Sequence, residues 1–413
     1  MRTLKSFTLI LLLMAAAMPA YPCTTAVISG KATPDGRPIL WKLRDTDYLE
    51  NYMKRFEATP ETYAFIGLVN SIDTLGLEVW GGHNEKGFAI MNSASFNVNL
   101  GDTAKIDNQE GRFMRKALER CASLQEFEAL MDNEPKPMGL AAHFGVIDAA
   151  GGAAFYEVNN YTWTKYDAND PTVAPDGYVL RTNFSQTGKP NVGYGFVRLQ
   201  AAAELFEQAF GEHRLDHENI IQHFARSLYN PVTRNDYKTL YENEPASDKF
   251  IHSDNLIVSY GSASNIVVHG VKPDEDPRLT TTWILVGYPN TCLAVPLWVG
   301  SNEVGLPRCV AYDTTLKNSP LNAYSMKLFK ECYPLTHPDG YHYLKISKLF
   351  NKEGTGYLQI LLPIEKQLMK DTRDKLAKWH KHMPSDKEMS DFYAHIDRLA
   401  ETIYKERIAV QQE

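Results

Sequence analysis

The chain has 413 residues, a formal net charge of −7, and 44% hydrophobic and 23% charged residues. This is an ordinary globular balance, and the length suffices for one large domain or two ordinary ones with a full core. No run or stripe of lysine and arginine stands out, which argues against nucleic acid as a partner.

The first 22 residues have the pattern of an export signal followed by a short pro-segment. Arg2 and Lys5 form a short basic region, and the apolar run FTLILLLMAAA (7–17) is too short to span a bilayer. Small residues ending at Ala20 are typical of a cleavage zone. No later segment holds a long uncharged apolar run. We therefore predict an exported protein, periplasmic or secreted, without stable membrane insertion.

Strand patterns dominate the first half of the chain. CTTAVIS (23–29) and RPILWKL (37–43) flank the turn signal TPDG (33–36), which predicts a β-hairpin. LEVWGG (77–82) and GFAIMNSAS (87–95), joined by HNEK, predict a second hairpin. Further strands are predicted, in order, by HFGVIDAAGGAAFYEV (143–158, two strands), GYVLRTNF (177–184), NIVVHGV (265–271), TTWILVG (281–287) and CLAVPLWVG (292–300).

Helical spacing appears in three places. Residues 111–132 predict an amphipathic helix or helix pair, residues 195–229 are helical, and a charged helical tail begins at about Pro363, interrupted at MPSD (383–386). Hairpins without regular βαβ alternation indicate antiparallel sheets covered by helices, an α+β layered domain. We assign 1–22 to the signal and pro-segment, 23–362 to the domain and 363–413 to a C-terminal extension.

Cys23 stands where the export signal ends. If the mature chain begins there, one residue carries both a thiol and an α-amine, and the amine can accept the thiol proton without a histidine. The alternatives are a buried structural cysteine and a lipid-modified cysteine, although Tyr21 and Pro22 are not the small residues that a lipoprotein signal requires.

The chain has five cysteines, with neither a CxxC nor a zinc pattern: Cys23, Cys121, Cys292, Cys309 and Cys332. In an oxidising compartment four could pair and leave Cys23 free. Buried free thiols are an equally good interpretation. No metal or cofactor motif is present: HENIIQH is not HExxH, and WHKH (379–382) lies in the charged tail.

WKLRD (41–45) places Lys42 within the second predicted strand and Arg44 and Asp45 directly after it. Asp45 can hold a protonated amine, and Lys42 or Arg44 can favour a thiolate. On a strand Lys42 and Arg44 point to one face and Asp45 to the other, unless a bulge intervenes. A solvated strand end is the alternative interpretation.

Asn92 and Asn183 lie near the ends of predicted strands, in IMNSAS and RTNFS. A buried amide or a strand-end backbone N–H can stabilise an oxyanion. The alternative for each is a turn asparagine whose side chain bonds to the backbone.

In order and spacing, these segments resemble the cysteine N-terminal-nucleophile (Ntn) hydrolases, closest to the acyl-coenzyme A:6-aminopenicillanic-acid (isopenicillin-N) acyltransferase-like group. Conjugated bile salt hydrolases and penicillin V acylases are wider relatives. The resemblance runs from Cys23 to about Gly300 and includes CTTAVISGKATPDGRPILWKLRD, NEKGFAIMN, HFGVIDAAGGAAFYEVNN, GYVLRTNFS, GYGFVRLQAA and GVKPDEDPRLTTTWILVGYP. It implies a four-layer αββα sandwich of antiparallel sheets and chemistry at amide bonds.

The resemblance also implies roles for individual residues. Cys23 matches the nucleophile, and Asp45 matches the aspartate that orients its amine. Lys42 stands where bile salt hydrolases have arginine. Asn183 matches the oxyanion asparagine, and the second oxyanion position falls at Asn92 or, two residues on, at Ala94.

The chain departs from the family pattern in two ways. Relatives with a bile-salt-type site have an arginine where this chain has Gly195, and Arg198, three residues on, is a weak substitute for substrate binding. Pro22 before Cys23 disfavours direct cleavage there, so cleavage after Ala20 would leave Tyr21 and Pro22 to be removed.

The leading hypothesis is an exported enzyme, a hydrolase of carbon–nitrogen bonds or an acyltransferase, without a cofactor. Its predicted substrate is a small-molecule, linear N-acyl amide, and assembly into a homo-oligomer is left open. The alternatives are a cysteine Ntn dipeptidase and a non-catalytic exported binding protein or lipoprotein.

Overall fold

The computed structural model describes residues 23–301, 303–336 and 339–408. The predicted export signal, with Tyr21 and Pro22, lies outside the described residues. Strands are numbered here in chain order: β1 Thr24–Ile28, β2 Ile39–Asp45, β3 Asn51–Phe56, β4 Phe65–Asn70, β5 Gly81–Asn84, β6 Ala89–Ala94, β7 Ala142–Ile147, β8 Ala153–Val158, β9 Trp163–Asp167, β10 Tyr178–Arg181, β11 Tyr229–Asn230, β12 Asn235–Asp236, β13 Phe250–His252, β14 Ser262–His269, β15 Thr281–Leu285, β16 Val295–Leu297 and β17 Tyr343–Lys345.

Helices lie between and after the strands. They are α1 Glu110–Arg120, α2 Leu124–Asn133, α3 Phe196–Gly211, α4 His217–Gln222, α5 Tyr237–Tyr241, α6 Pro320–Cys332, α7 Tyr357–Trp379 and α8 Asp386–Thr402, followed by a π-helical turn, Ile403–Ile408. The predicted helix or helix pair at 111–132 is a pair: Cys121 leaves the helical conformation, and the Ser123 side chain caps α2 by accepting from the Glu126 N–H.

Two antiparallel sheets form the centre of the fold. The first has the order β10-β1-β2-β14-β15-β16, and the second runs β3-β4-β5-β6-β7-β8-β9 in chain order. Every residue of β1 and β2 is buried, because one face of this sheet meets the second sheet and the other meets helices. The second half of β1, residues 26–28, is accordingly apolar and fully buried.

Helices cover the outer face of each sheet. Trp41 of β2 stacks on Phe206 of α3, with ring centroids 5.7 Å apart, so α3 packs on the first sheet. On the second sheet, Phe113 of α1 and Phe127 of α2 contact Phe144 of β7. The order helix, sheet, sheet, helix confirms the predicted four-layer αββα sandwich of antiparallel sheets.

The predicted hairpins are confirmed, with one shift. β1 and β2 pair around 33–36, and β5 pairs with β6. The strand predicted at 77–82 begins only at Gly81, because Val79 and Trp80 bond to Gly111 and Leu68 before the β5–β6 ladder starts. The sequence analysis did not identify β3, β4 and β9. Strands β3 and β9 are edge strands, and their mixed polarity reflects partial exposure, whereas β4 is fully buried.

The C-terminal helices pack against the first sheet. Helix α7 begins at Tyr357 and runs through Pro363, the residue at which the extension was predicted to start. Glu365 on α7 forms a buried ion pair with Arg226, and Trp298, just after β16, contacts Trp379 and Tyr393. Among the described residues, no helix combines the length and apolar character needed to cross a membrane.

All five cysteines are free and buried. The alternative of four paired cysteines is therefore not what this structure contains. Burial raises the pKa of the Cys121 thiol and of the Cys292 thiol to about 12 in each case, which makes both inert at neutral pH.

Candidate active site

Cys23 lies at the start of β1, a central strand of the first sheet. It is 7% exposed, and its Sγ lies 4.0 Å from the backbone oxygen of Asp45 at the end of β2. The β1–β2 register pairs Thr24 with Leu43 and Thr25 with Lys42. The hairpin therefore places the end of the WKLRD segment beside the thiol.

Strand β2 sends its charged side chains to opposite faces. Lys42 reaches Asn92 and Arg44 reaches Asn70, both in the second sheet. Asp45 instead contacts Arg198 of α3, on the helix-covered face. The pairing of β2 with β14 is irregular between Ser262 and Ser264, opposite Arg44 and Asp45, but the alternation predicted from the sequence holds.

Asp45 is buried in a group of polar side chains that we name the Asp45 cluster: Asp45, Ser262, Arg198 and Thr24. Ser262 Oγ donates to Asp45 Oδ1 at 2.6 Å, and Arg198 Nη1 contacts Asp45 Oδ2 at 3.3 Å and Thr24 Oγ1 at 3.2 Å. Burial raises the pKa of Asp45 to about 6, and the Arg198 charge and the Ser262 hydrogen bond oppose that rise. The carboxylate is thus held ionised at neutral pH in a dry environment.

Arg198 also joins the Asp45 cluster to Asn183. Its Nη2 donates to Asn183 Oδ1 at 3.3 Å, which directs the amide nitrogen of Asn183 the other way. That nitrogen donates to the Ala94 backbone oxygen at 2.8 Å, so one of its two hydrogens is engaged and the orientation of the amide is set. Arg198 is only 2% exposed, and its contacts place it under the site rather than on an open surface.

Gly195, where the sequence departs from the family pattern, makes room for Arg198. A Cβ on Gly195 would lie 2.6 Å from Arg198 Nη2 and 2.8 Å from Thr182 Cβ. The residue precedes α3 with a φ of 86°, a left-handed conformation that favours glycine. Glycine at position 195 therefore leaves the space that the Arg198 guanidinium, one turn later, occupies.

Gly195→Ala is expected to lower both stability and activity. The left-handed backbone alone costs a residue with a Cβ about 1–2 kcal/mol, and the clash displaces the guanidinium from Asp45 and Asn183. Urea unfolding with an amidase assay measures both effects. Gly211→Ala at the end of the same helix is the control, since its Cβ would meet nothing within 4 Å. Equal unfolding midpoints for the two variants would contradict the expectation.

Lys42 forms a second polar group, the Lys42 cluster, with Asn92 and Trp80. Its Nζ donates to Asn92 Oδ1 at 2.7 Å and to the Trp80 backbone oxygen at 2.9 Å. Burial lowers the pKa of Lys42 to about 7; the Cys23 charge favours the ammonium and Arg44 opposes it. Lys42 therefore changes its protonation state close to neutral pH, and a negative charge on the Cys23 thiol would raise its pKa.

Arg44 adds a second buried cation on the same face. Its Nη1 and Nη2 donate to Asn51 and Asn70, and its guanidinium carbon lies 4.9 Å from the Trp80 ring centre. Burial lowers the pKa of Arg44 to about 10, with the Cys23 charge opposing. Two buried cations whose side chains are fixed by the second sheet therefore lie near enough to Cys23 to interact with its charge.

The strand end that carries Asn183 is held from behind by a buried network. Glu157 accepts from Arg181 and from the backbone N–H groups of Gln186 and Thr187. His143 bridges Ser93 of β6 and Ser185 at 2.9 and 2.8 Å. These contacts fix the separation between β6 and the Asn183 segment, which is the separation between the two predicted oxyanion positions.

The structure brings five of the six predicted site residues into two clusters beside Cys23. Asp45, Asn183 and Arg198 are connected on one side, and Lys42 and Asn92 on the other. The Asn183 amide donates to the backbone oxygen of Ala94 and does not contact Asn92. The Asn92 side chain accepts a hydrogen bond from Lys42. Sequence reasoning missed Ser262, Thr24 and Trp80, which have no motif of their own; only the β14–β2 pairing identifies Ser262.

Two facing antiparallel sheets between helix layers, with a cysteine at the start of a central strand and polar residues near it, define the fold class as a four-layer αββα sandwich. Residues 33–201 match the model of the family described as acyl-coenzyme A:6-aminopenicillanic acid acyl-transferase. The predicted resemblance to that acyltransferase family is thereby confirmed.

Solved structures of three proteins are similar to the chain at low identity. A Caenorhabditis elegans N-acylethanolamine-hydrolyzing acid amidase ortholog is 18% identical, with 64% of this chain and 100% of that chain covered and a TM-score of 0.43. A variant of conjugated bile acid hydrolase from Clostridium perfringens is 11% identical (67% and 92% covered, TM-score 0.36). Penicillin V acylase from Agrobacterium tumefaciens is 12% identical (69% and 89%, TM-score 0.34). No curated protein matches the sequence.

Proposed function

We propose that the protein is an exported Ntn amidohydrolase that cleaves a linear N-acyl amide, or transfers its acyl group, through a thioester on Cys23. The observation that carries this proposal is the convergence of Asp45, Lys42 and Asn183 on a cysteine at the start of a central strand. The match of residues 33–201 to an acyltransferase family supports it. Removal of the residues before Cys23 frees the α-amine that the chemistry needs.

In the first half of the reaction, the Cys23 α-amine takes the thiol proton, directly or through a water. The thiolate sulfur forms a bond to the amide carbonyl carbon, and the carbonyl oxygen becomes an oxyanion. The second hydrogen of the Asn183 amide and a backbone N–H of the β6 end stabilise it. The carbon–nitrogen bond then breaks, and the leaving amine takes its proton from the Cys23 ammonium.

In the second half, water or an acceptor amine resolves the thioester. The nucleophile loses a proton to the Cys23 α-amine, attacks the thioester carbonyl and displaces the thiolate. Asp45 holds the ammonium form of the amine at each stage, and Lys42 and Arg44 stabilise the thiolate. Arg198 is a positioning residue, because it contacts Asp45 and Asn183.

An aromatic rim beside Asn183 supports an apolar acyl group. Phe96 and Tyr194 meet edge to face at 5.2 Å, and Phe184 stacks on Phe196 at 4.3 Å. Phe96, Tyr194 and Phe196 are 38–48% exposed, and the backbones of Phe96 and Tyr194 bond to Asn183. Exposed aromatic rings adjoining a buried polar site favour a substrate with an apolar part next to its amide.

Mass spectrometry of the exported protein tests the proposal. We expect a chain that begins at unmodified Cys23, and a mass gain equal to the acyl group when an N-acyl amide or activated ester is added and the reaction is quenched in acid. A chain that begins at Tyr21 and still turns over substrate would refute the α-amine mechanism. A lipid-modified Cys23 would overturn the proposal in favour of a lipoprotein, and preference for dipeptides would favour a dipeptidase.

Replacement of Lys42 by arginine is expected to extend activity to higher pH. Because burial lowers the pKa of Lys42 to about 7, its charge is lost as the pH rises through that value, and activity that needs the cation falls there. Arginine stays charged, so the alkaline limb of kcat/KM against pH moves upward. Lys42→Met, the control, should lose activity at every pH. An unmoved alkaline limb in Lys42→Arg would show that Lys42 does not set it.

A further inference from the structure

We propose that His252, Asp254 and His342 form a binding site for one divalent transition-metal ion, with Zn²⁺ as the best match. His252 belongs to the small β13–β17 sheet, Asp254 and His342 lie in the segments next to it, and all three lie outside both clusters around Cys23. His252 ends β13, Asp254 follows two residues later, and His342 ends the 3₁₀ turn before β17. Neither the sequence motifs nor the proposed reaction accounts for this grouping.

The ligand atoms are already nearly at coordination spacing. His252 Nε2 lies 3.8 Å and His342 Nδ1 lies 2.5 Å from the same atom, Asp254 Oδ2, and one ligand atom from each residue lies within 4.8 Å of the others. Ligands about 2.0–2.2 Å from a tetrahedral ion are about 3.3–3.6 Å apart. The observed distances bracket that value, so small side-chain rotations are enough to admit an ion.

The His342 nitrogen is not satisfied by its neighbour. Nδ1 is buried and makes no hydrogen bond of acceptable geometry among the described residues, although it lies 2.5 Å from the Asp254 carboxylate. A buried imidazole nitrogen that faces a carboxylate oxygen without a well-formed hydrogen bond is a costly arrangement. A metal ion that both atoms coordinate, once the two side chains rotate apart, would satisfy both.

The backbone beneath the site is firmly held. Ile251 pairs with Leu344, the Ser253 N–H donates to the His342 oxygen at 2.8 Å, and the buried Tyr333 hydroxyl donates to Ser253 Oγ at 3.2 Å. The two imidazole rings lie nearly parallel, 9° apart, with centroids 5.2 Å from each other. An ion here would therefore bind two imidazoles that the backbone already holds close together, and it would add a link between β13 and the turn before β17.

The donor set selects the class of ion. Two imidazole nitrogens and one carboxylate oxygen suit Zn²⁺ and other first-row transition metals, whereas Ca²⁺ and Mg²⁺ require mostly oxygen ligands. His252 is 53% and Asp254 38% exposed at the side chain, which leaves at least one coordination position for water or an outside ligand. The site is thus an open three-ligand site at the protein surface.

Titration calorimetry with ZnSO₄ on chelator-treated full chain tests the proposal. All variants carry Cys23→Ala, so that the site thiol does not bind zinc. We expect one ion per chain, affinity at least about tenfold weaker in His252→Ala, Asp254→Asn and His342→Ala, and no saturable binding in the His252→Ala/His342→Ala double variant. His382→Ala, which removes an exposed histidine elsewhere, should bind as the parent does.

Two further readouts do not depend on heats of binding. Bound Co²⁺ should show the visible absorption of a four-coordinate site in the parent and lose it in the double variant. Zinc should raise the melting temperature of the parent and leave that of the double variant unchanged, because an ion that binds only the folded chain stabilises it. Zinc binding that persists in the folded double variant, or no binding to the parent, would overturn the proposal. Neither result bears on the Cys23 mechanism.

Discussion

Cys23→Ala is expected to lower kcat for amide cleavage by roughly a million-fold, the size of loss that removal of a catalytic serine causes in a serine protease. The substitution removes the sulfur that forms the thioester, and no other described cysteine can replace it, since all four are buried elsewhere in the fold. The measurement is single-turnover kinetics on the mature protein, with folding checked by urea unfolding.

Cys292→Ala is the matched control. Its thiol is also free and buried, but burial raises its pKa to about 12, and its Sγ lies 3.7 Å from the Leu293 backbone oxygen, away from both clusters around Cys23. We expect lower stability by about 1 kcal/mol and an unchanged kcat. Iodoacetamide should label Cys23 alone in the native protein, because the thiolate is the reactive form. Activity retained within tenfold in Cys23→Ala would end the thioester mechanism.

Asn183→Ala is expected to reduce kcat by about 100- to 1,000-fold, equivalent to about 2.7–4 kcal/mol of transition-state stabilisation. The amide is fully buried and held at both ends, by Arg198 Nη2 and by the Ala94 oxygen. A donor fixed in this way needs no reorganisation when negative charge develops on the substrate oxygen. KM should change little, since the interaction strengthens only in the transition state.

Asn99→Ala separates the loss of a structural amide from the loss of an oxyanion donor. The Asn99 side chain also donates to a backbone oxygen, that of Leu140 at 2.8 Å, but it has no contact with Arg198 or Cys23. Both variants should lose comparable stability, and only Asn183→Ala should lose kcat. A fall in kcat of less than tenfold for Asn183→Ala, or an equal fall for Asn99→Ala, would remove Asn183 from the oxyanion site.

Asp45 and Arg198 illustrate why some site residues are poor single tests. They form a buried ion pair, and removal of one partner leaves the other charge uncompensated, at about 3–5 kcal/mol. Loss of activity in Asp45→Ala would then mix misfolding with chemistry. The buried charges that the proposed reaction uses are thus also residues whose removal strongly destabilises the folded protein.

The sequence by itself determined the hairpins, the α+β class of antiparallel sheets covered by helices and the place of Cys23 at the start of a strand. These features depend on local physics: alternation of side chains along a strand, turn residues such as TPDG and the 3.6-residue period of a helix. The opposite orientation of Lys42 and Asp45 on β2 follows from the same alternation and needed no knowledge of neighbours.

Only the tertiary structure decided which side chains meet. Ser262 reaches Asp45 from 217 residues away through the β14–β2 register, and Arg198 reaches it from 153 residues away because α3 packs on the first sheet. The same holds for His252 and His342, brought together by β13–β17 pairing. Strand register and helix packing are set by burial of the whole apolar surface, so no short pattern in the chain encodes these contacts.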